Sequence, residues 1–580
     1  MKHKNTLKRM LNLIAKWKSL LLTAVCFSLF TVLTNLLGPL LIGDAIDEML
    51  GVHSVNFSNI MKLIILITFI YILNMASLWV LTVCTNKIAY LSANLLRERL
   101  FEKLNTLPLK FYDTVPHGDT ISRFINDADI VSDGLLQSIS IFLTGTATVI
   151  GAIIFMLRMN MIMAFIVILS AFVAYYVAKF VSRKSKKSFK AQAAILGELN
   201  GYAEEMLSSQ KVVKAFCYEN KSIEHFKAVN GELYNAGIKA QFYSSLPNPS
   251  TRVVNNMAYG IVGVVGSLLA ISGTLSIGNI SSFLLYANLF SKPFNEITGV
   301  IPQLQSALAS AARIFSVLDE ASESAVQDVA PASTIHGKIE FNDISFAYEP
   351  SKPLITHFNL QVNPGQRVAI VGSTGAGKTT LINLLMRFYD ADTGNITIDG
   401  RSIYKLRREK VRQSFGMVLQ DTWLFSGTIR ENISYGKADA TDLEVIEAAK
   451  ACGAHSFIRR LALGYDTGIS ASGDNLSAGQ KQLLTIARVM LTNPSMLILD
   501  EATSSIDTIT ELHIQKAFTK MMKGRTSFII AHRLSTIKDA DLILVMEKGN
   551  VVESGTHHEL LTANGAYAHL YNSQFSYNKS

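Results

Sequence analysis

Residues 367–388 read RVAIVGSTGAGKTTLINLLMRF, and this stretch decides the fold of the second half of the chain. A short apolar run of strand type leads into a glycine-rich loop, GSTGAGKT (residues 372–379), which a helical pattern follows. The loop matches the pattern G-x-x-x-x-G-K-[ST] of phosphate-binding loops. Its glycines let backbone N–H groups close around phosphate, and the helix N-terminus adds favourable partial charge. The stretch therefore predicts an α/β nucleotide-binding domain.

The side chains of this loop predict how a nucleoside triphosphate and Mg²⁺ are held. Lys378 is placed to reach the β- and γ-phosphates, and the hydroxyl of Thr379 is placed to bind Mg²⁺. The predicted nucleotide-binding residues of the loop are Gly372, Ser373, Thr374, Gly375, Ala376, Gly377, Lys378, Thr379 and Thr380.

Two further apolar strands end in polar residues of the kind that phosphate chemistry needs. SMLILD (residues 495–500) ends in Asp500, which we expect to hold Mg²⁺ directly or through water. Glu501 follows and is the predicted general base for the attacking water. TSFIIAHR (residues 526–533) repeats the design and delivers His532, which is placed to contact the γ-phosphate.

The first half of the chain has the composition of a membrane protein. Hydrophobic residues make up 49% of the 580 residues and charged ones only 17%, against about 25% in soluble domains. Mean hydropathy is +0.27. A membrane-spanning helix needs roughly 20 mainly apolar residues. Six segments meet this need, and we predict spans at about 19–43, 60–84, 136–157, 161–181, 253–275 and 278–300.

Loop charge predicts the orientation of these spans. The long segments 85–135 and 182–252 are rich in Lys and Arg, whereas the loop 44–59 has only acidic charges. The positive-inside rule therefore places both long segments and both termini in the cytoplasm. The net charge of +9 is explained in the same way, so nucleic-acid binding is not expected. The apolar run after the basic N-terminus is too long for a signal peptide and is interpreted as a retained span.

The four cysteines and one charged pair complete the residue-level analysis. Cys26, Cys84, Cys217 and Cys452 have no metal-ligand spacing, so neither a disulfide framework nor a zinc site is expected. Lys292 and Glu296 share one helix face inside the sixth predicted span. They form a structural ion pair in one interpretation. In the other, Glu296 lies in a substrate cavity and attracts cations.

The sequence NLSAGQKQ (residues 475–482) makes the resemblance to a known family specific. Ser477 and Gln480 form a possible capping box that opens a helix, and Ser477 lies 23 residues before Asp500. The octapeptide resembles the signature of ATP-binding-cassette (ABC) proteins, which other phosphate-binding-loop families lack. In that family the signature faces ATP held by the other subunit. The resemblance implies two nucleotide-binding domains closing on two ATP molecules, with Ser477, Gly479 and Gln480 as contacts.

The remaining motifs of the family follow in the expected order. Tyr348 in SFAYEP resembles the aromatic residue that stacks on adenine. Gln420 resembles the glutamine that senses Mg²⁺ and contacts the membrane domain, and it is counted among both catalytic and metal residues. Asp507 in SSID resembles the aspartate at the dimer seam. Residues 107–129 and 211–220 look like the two coupling regions of exporters, and 304–320 look like the end of their sixth helix.

The resemblance covers nearly the whole chain and implies a multidomain membrane protein. We expect a six-helix all-α transmembrane domain of the type I exporter fold over 1–317 and a linker over 318–337. An α/β ABC nucleotide-binding domain follows over 338–580. ATP and Mg²⁺ are the implied cofactors, and the cell membrane is the implied location, with the nucleotide-binding domain cytoplasmic.

Two positions depart from the family pattern. Ala478 replaces the first glycine of the usual LSGGQ, which places a methyl group where a backbone should approach phosphate. Because Lys378, Asp500, Glu501 and His532 are all present, the chain resembles the subunit with intact Walker motifs in heterodimeric bacterial multidrug exporters. The alternative is a homodimer that tolerates the change. Near Ala471 the family usually has an acidic residue, so the coupling contacts there are in question.

The expected function is ATP-driven export of amphipathic or hydrophobic molecules (drug, lipid or peptide) by alternating access, as half of a dimer. The expected partners are a second half-transporter, with a heterodimer favoured, and the lipid bilayer. No peptidase segment precedes the first span, which disfavours a peptide-processing exporter. The alternatives are a homodimeric lipid flippase, and an ATP-gated channel or regulatory receptor on the same scaffold. An importer and a soluble cassette ATPase are weaker alternatives.

Overall fold

Long apolar runs with few helix breakers form helices in the first half of the chain, and short strands alternate with helices in the second. The computed structural model describes residues 2–49, 55–323, 335–420, 422–470, 475–500, 507–530 and 537–575. The chain divides into two units. Unit 1 comprises Met1–Asn105 and Pro116–Glu320, and unit 2 comprises Thr106–Val115 and Ala321–Ser580.

Unit 1 is all-helical. Two of its helices have 48 residues each, which corresponds to a length of about 72 Å and far exceeds the hydrocarbon core of about 30 Å. These helices therefore continue well beyond a membrane, as predicted. The helices of this unit are α1 (Lys2–Ile14), α2 (Lys18–Asp47), α3 (Phe57–Leu104), α5 (His117–Ser122), α6 (Ala128–Met159), α7 (Met161–Ser208), α8 (Gln210–Ala215), α9 (Glu219–Ser245), α10 (Pro247–Ile271) and α11 (Ile277–Leu318), with a 3₁₀ turn at Ala15–Trp17 and a π-helical turn at Arg123–Asp127; α4 (Leu109–Thr114) belongs to unit 2.

Five stretches in the described part of the chain are long and apolar enough to cross a membrane. They contain the first four predicted spans and residues 253–271 of the fifth, which agrees with a multi-pass membrane protein. The sixth predicted span, 278–300, lies in α11, which is not one of the five. The five stretches are Asn5–Asp47, Phe57–Leu104, His117–Met159, Met161–Ser208 and Glu219–Ile271.

Helices α2 and α11 approach each other closely through glycines near one end of the bundle. A Cβ added at Gly43 would lie 2.6 Å from the carbonyl oxygen of Gly278, and one added at Gly278 would lie 2.1 Å from that of Gly43. Asp47 accepts from Gly278 N at 2.7 Å and from Ser276 Oγ at 2.5 Å, which ties the end of α2 to the start of α11. Deeper along the pair, Tyr286 Oη donates to the carbonyl of Leu36 at 2.5 Å.

An ion pair joins the opposite end of α11 to the π-helical turn, with its carboxylate buried and its guanidinium about half exposed. Asp127 is 3% exposed, and Arg313 Nε donates to Asp127 Oδ2 at 2.8 Å. Arg313 also binds the second oxygen of the same carboxylate through Nη2. The pair lies beside an apolar cluster formed by α1, α3, α6 and α11. The carboxylate therefore fixes how α11 enters this cluster.

Unit 2 is an α/β domain with three sheets. A four-stranded sheet has the order β2-β1-β4-β5, a six-stranded sheet has the order β12-β11-β3-β10-β9-β6, and β7 pairs with β8. The strands are β1 (Ile339–Phe346), β2 (Ile355–Val362), β3 (Arg367–Gly372), β4 (Thr393–Ile398), β5 (Arg401–Ser402), β6 (Phe415–Val418), β7 (Gly427–Thr428), β8 (Gly468–Ile469), β9 (Met496–Asp500), β10 (Thr526–Ile530), β11 (Leu542–Glu547) and β12 (Asn550–Gly555).

The six-stranded sheet is the centre of the domain. Its strands are parallel except β12, which pairs antiparallel with β11. Along β3, Val368 and Ile370 pack toward the four-stranded sheet, whereas Ala369 and Val371 pack toward the helices. The helices are α12 (Lys378–Leu385), α13 (Arg408–Gln413), α14 (Ile429–Ser434), α15 (Asp442–Ala451), α16 (His455–Ile458), α17 (Ala478–Thr492), α18 (Thr508–Met522), α19 (His557–Thr562) and α20 (Ala566–Phe575).

The chain passes from unit 1 to unit 2 between helix α11 and strand β1. Helix α11 ends at Leu318 and strand β1 begins at Ile339, while the division between the units falls at Glu320 and Ala321. Residues 106–115 belong to unit 2 by their contacts. Leu109 in this segment contacts the apolar cluster of the four-stranded sheet.

Candidate functional site

The glycine-rich loop between β3 and α12 needs its glycines. Gly372 has φ +153°, and a Cβ there would lie 2.3 Å from the carbonyl oxygen of Met546 on the neighbouring strand β11. Gly377 has φ +98° and directly precedes α12, and a Cβ there would lie 3.2 Å from Gly549 Cα. Gly549 N donates to the carbonyl of Ala376 at 2.9 Å. The residue types that define the motif are therefore required by the backbone itself.

Lys378, the first residue of α12, folds back over the loop. Its Nζ donates to the carbonyls of Gly372 at 2.7 Å and Ser373 at 2.9 Å. Burial lowers the pKa of this ammonium group, and the nearby Asp500 carboxylate opposes the shift. The Lys378 ammonium and the Asp500 carboxylate therefore interact electrostatically. Strand β10 lies between β3, which precedes the loop, and β9, which ends at Asp500. Thr379, the next residue, is exposed.

Strand order brings the other predicted residues to the same edge of the sheet. Asp500 is paired in register with Ile530 of β10, which in turn is paired with Ile370 of β3. Strand β6 lies beside β9, so Gln420, two residues after β6, leaves the sheet at this edge too. The carboxyl ends of parallel strands meet at one edge, which is where ligands of such sheets bind.

Several predicted residues lie outside the described part of the chain. Glu501 directly follows β9, and His532 lies two residues after β10. Ala471 also lies outside it. The roles of these residues stay predictions.

Tyr348 lies beside the loop, with its hydroxyl held by α12. It is 38% exposed. Its Oη donates to Thr380 Oγ1 at 3.3 Å and accepts from Asn383 Nδ2 at 3.1 Å. The ring of Tyr389 lies edge-on to it, 5.0 Å between centroids. Sequence reasoning missed Asn383 and Tyr389, although both lie within twelve residues of Lys378 and on the segment that follows the motif.

The signature residues begin α17 with the predicted capping box. Ser477 Oγ accepts from Gln480 N at 3.3 Å, and Gln480 Oε1 accepts from Ser477 N at 3.0 Å. Ala478 is exposed at the first helical position, whereas Gly479 is buried. Asp507 caps α18, because its Oδ2 accepts from Thr510 N at 2.9 Å, and this bond lowers the pKa of the carboxyl.

A polar cavity lies between three helices of unit 1. It has a volume of about 250 Å³ and is formed by α7, α10 and α11. Its polar lining residues are Ser170, Asn255, Asn256, Tyr259, Asn288 and Ser291.

Lys292 and Glu296 follow this cavity on α11 and form an ion pair of 3.8 Å. Their side chains are 71% and 42% exposed. This geometry favours the structural-pair interpretation, because the charge of Glu296 is matched by its neighbour one turn away.

Comparison with known proteins agrees with this architecture. The family profile described as ABC transporter transmembrane region matches residues 21–294, and the profile described as ABC transporter matches residues 355–504. An uncharacterized ABC transporter ATP-binding protein, YfiC of Bacillus subtilis, is 42% identical over 99% of this chain and 94% of its own length.

Two relatives carry more specific names. The fatty acid ABC transporter ATP-binding/permease protein of Mycobacterium bovis is 41% identical over 89% of this chain and 82% of its own length. The ATP-dependent lipid A-core flippase of Syntrophus aciditrophicus is 36% identical over 83% of this chain and 80% of its own length. Since both units are matched and the relatives span nearly the full length, the chain belongs to the ABC transporter family, as an exporter half-transporter that couples ATP hydrolysis to transport.

Proposed function

We propose that the chain is one half of a dimeric exporter that moves amphipathic molecules across the cell membrane, most readily as a heterodimer. The observation that carries the proposal is that the loop before α12 and the end of β9 lie at the same edge of a parallel sheet, where the Asp500 carboxylate acts on the pKa of Lys378. The backbone of this loop requires its glycines. The membrane-spanning helices of unit 1 supply the path for the transported molecule.

In this proposal the loop binds the phosphates of ATP. Lys378 exchanges its two carbonyl partners for β- and γ-phosphate oxygens, which compensates its burial with negative charge. Hydroxyl, carboxylate and amide oxygens from Thr379, Asp500 and Gln420 are a donor set that suits Mg²⁺. Bound there, Mg²⁺ neutralises charge on the phosphates. Glu501 accepts the proton of the attacking water, and His532 contacts the γ-phosphate.

The remaining nucleotide contacts come from Tyr348 and from the partner. Tyr348 stacks on adenine with the exposed part of its ring, because its hydroxyl and its contact with Tyr389 are already engaged. Ser477, Gly479 and Gln480 approach the partner's ATP from the N-terminus of α17, where the backbone partial charge is positive. Asp507 lies at the seam between the two nucleotide-binding domains. Closure of this pair turns the membrane helices outward, and hydrolysis resets them.

The cavity between α7, α10 and α11 supports an amphipathic substrate. Ser170 lies nine residues into α7 and Asn288 eleven residues into α11, which places them about 14 and 17 Å from the helix starts. This is near the middle of a hydrocarbon core of about 30 Å. The Ser170 hydroxyl donates to the carbonyl of Val167, whereas amide groups at such depth require hydrogen-bonding partners of their own. A molecule with an apolar body and a polar group supplies them, and the fatty acid and lipid A-core relatives are named for molecules of this kind.

The proposal also covers the orientation of the chain in the membrane and the identity of the second subunit. The basic segments place both termini and unit 2 in the cytoplasm. The altered signature at Ala478, beside complete Walker motifs, favours a partner that supplies the standard signature. The rival functions are a homodimeric flippase and an ATP-gated channel.

The test is a transport assay in proteoliposomes with a fluorescent fatty acid and a fluorescent phospholipid as probes. We expect MgATP-dependent movement of at least one probe. Lys378→Ala should lose ATP binding and transport together, whereas Glu501→Gln should keep binding and lose transport. Flux of ions that persists in Glu501→Gln would support the channel. Wild-type protein that hydrolyses ATP without moving either probe contradicts lipid-like export.

A further inference from the structure

The turn that follows α12 is held in one position by the buried guanidinium of Arg387. Arg387 is 3% exposed and has φ +52°, and its Nη1 donates to the carbonyls of Ile403 and Leu406, each at 2.9 Å. Its Nε donates to Asp390 Oδ1 at 3.0 Å. These bonds satisfy the buried guanidinium and fix the backbone on both sides of Tyr389.

Tyr389 joins this turn to the segment that connects two membrane helices. Its side chain is 8% exposed, and its Oη donates to Asp113 Oδ2 at 2.5 Å. Burial raises the pKa of this hydroxyl, and so does the neighbouring Asp113 carboxylate, so the group remains a donor throughout the physiological range. Asp113 belongs to α4, which continues the chain from the 48-residue helix α3.

The α4 segment has two further attachments in unit 2. Glu323 N donates to the carbonyl of Thr106 at 2.9 Å, and Arg412 Nη2 donates to Glu323 Oε1 at 2.8 Å. Leu109 packs against the apolar cluster of the four-stranded sheet. Asp113 therefore sits on a segment whose N-terminal part is also attached to the domain, at Thr106 and Leu109.

The ring of Tyr389 completes a path to the adenine-stacking residue. It lies 5.0 Å from the ring of Tyr348 at 87°, and Phe346 lies edge-on to both rings at 4.9 and 5.7 Å. Edge-to-face pairs of this kind have a preferred geometry, so moving one ring disturbs the others. The opposite end of Tyr348 is tied to α12 through Thr380 and Asn383.

We propose that Asp113 and Tyr389 are positioning residues for the adenine ring: the carboxylate holds Tyr389, and Tyr389 sets the orientation of Tyr348. The inference rests on the proposed nucleotide site and adds to it a contact that depends on the base. By reciprocity, whatever displaces Asp113 weakens ATP binding, and bound adenine stabilises the Asp113 contact to the same degree. The α4 segment thus responds to the base of the nucleotide and not to its phosphates alone.

The experiment compares two ligands on full-length protein in lipid nanodiscs, with its partner present if turnover requires one. MgATP engages both the base contact and the loop, whereas magnesium tripolyphosphate engages the loop alone. Tyr389→Phe keeps the ring and removes the hydroxyl. We expect it to weaken MgATP binding by about three- to tenfold, the range of one hydrogen bond, with tripolyphosphate binding unchanged.

Conservative and control variants separate positioning from folding. Asp113→Ala should reproduce the loss, Asp113→Asn should retain most of the affinity because its amide oxygen still accepts, and Asp113→Ala with Tyr389→Phe should be no worse than either alone. Tyr404→Phe is the matched control. Its hydroxyl accepts from Ala391 N at 3.3 Å in the same region, and its ring lies 5.5 Å from the guanidinium of Arg387.

The outcomes separate a failure of the inference from a failure of the nucleotide site. Unchanged MgATP affinity in Tyr389→Phe and Asp113→Ala overturns the inference and leaves the nucleotide site intact. Equal loss for both ligands also overturns it, because the effect would then act through the loop. Absence of Lys378-dependent binding in the wild type overturns the nucleotide site itself, and the inference with it.

Discussion

Ala478 stands at the position where the ABC signature brings a backbone close to phosphate. The residue is exposed at the start of α17, directly after the capping residue Ser477. In the proposed dimer its methyl group adds bulk where the partner's nucleotide approaches, and it leaves the helix cap intact, since the capping box is complete. The expected effect of Ala478 is therefore local to the composite site that this signature completes.

Ala478→Gly tests this at the level of one methyl group. In a heterodimer, the competent site uses the partner's signature, so we expect ATP turnover to change by less than about twofold. In a homodimer both sites would gain the close approach, and turnover would rise by about tenfold, the effect of roughly 1.4 kcal/mol. Steady-state ATPase of the reconstituted dimer measures the difference. Unfolding temperature is the control, because glycine costs up to about 1 kcal/mol within a helix.

At the scale of the elements, the closest packing in unit 1 depends on two glycines and not on large side chains. A Cβ at Gly43 would lie 2.0 Å from Ser282 Oγ, whose hydroxyl donates to the carbonyl of Pro39 at 2.7 Å. Small residues allow helix backbones to approach within a membrane, where the hydrophobic effect gives little help. The α2–α11 contact is thus sensitive to one added methyl group.

Gly43→Ala should lower the stability of the protein by about 1–3 kcal/mol, the usual cost of overpacking a tight contact. The matched control is Gly260→Ala in α10, where an added Cβ meets nothing within 4 Å of this chain. Alanine is the better helix former, so the control should be neutral or slightly stabilising. Thermal unfolding of both variants in detergent provides the measurement. Equal unfolding temperatures for the two would contradict the close packing of α2 and α11.

Elements with a local signal could be predicted from the sequence, and contacts between distant residues could not. Hydropathy indicated the membrane helices, and the spacing of glycines and Lys378 indicated the phosphate-binding loop, because both patterns lie in neighbouring residues. The capping box at Ser477 is confirmed for the same reason. Asp113 and Tyr389 are 276 residues apart, and both residue types are common in exposed loops, so neither gives a signal in the sequence. Only the fold brings them together.

For the whole molecule, the sequence indicated a membrane half and an α/β half, but not how the segment 106–115 is divided between them. Its helix α4 has six residues, and its association with unit 2 comes from tertiary contacts such as those of Leu109 and Asp113. Sequence periodicity carries no information about such contacts, because each involves one or two residues.

The dimer consists either of two copies of this chain or of this chain and a different half-transporter. ATP hydrolysis rates distinguish the two. We expect this chain to supply one complete Walker site, because Lys378 begins α12 directly after the loop and Asp500 ends β9. A complete composite site also needs a signature that lets the backbone reach the phosphate, and Ala478 restricts this. We therefore expect the purified chain alone in lipid to hydrolyse ATP at least about tenfold more slowly than the same chain co-expressed with its partner half-transporter. Glu501→Gln in this chain should abolish the turnover of the pair, while the matching substitution in the partner should have little effect. Robust Glu501-dependent turnover by the chain alone would establish a homodimer in which the methyl group of Ala478 is tolerated, and the asymmetry between the two sites would have to be abandoned.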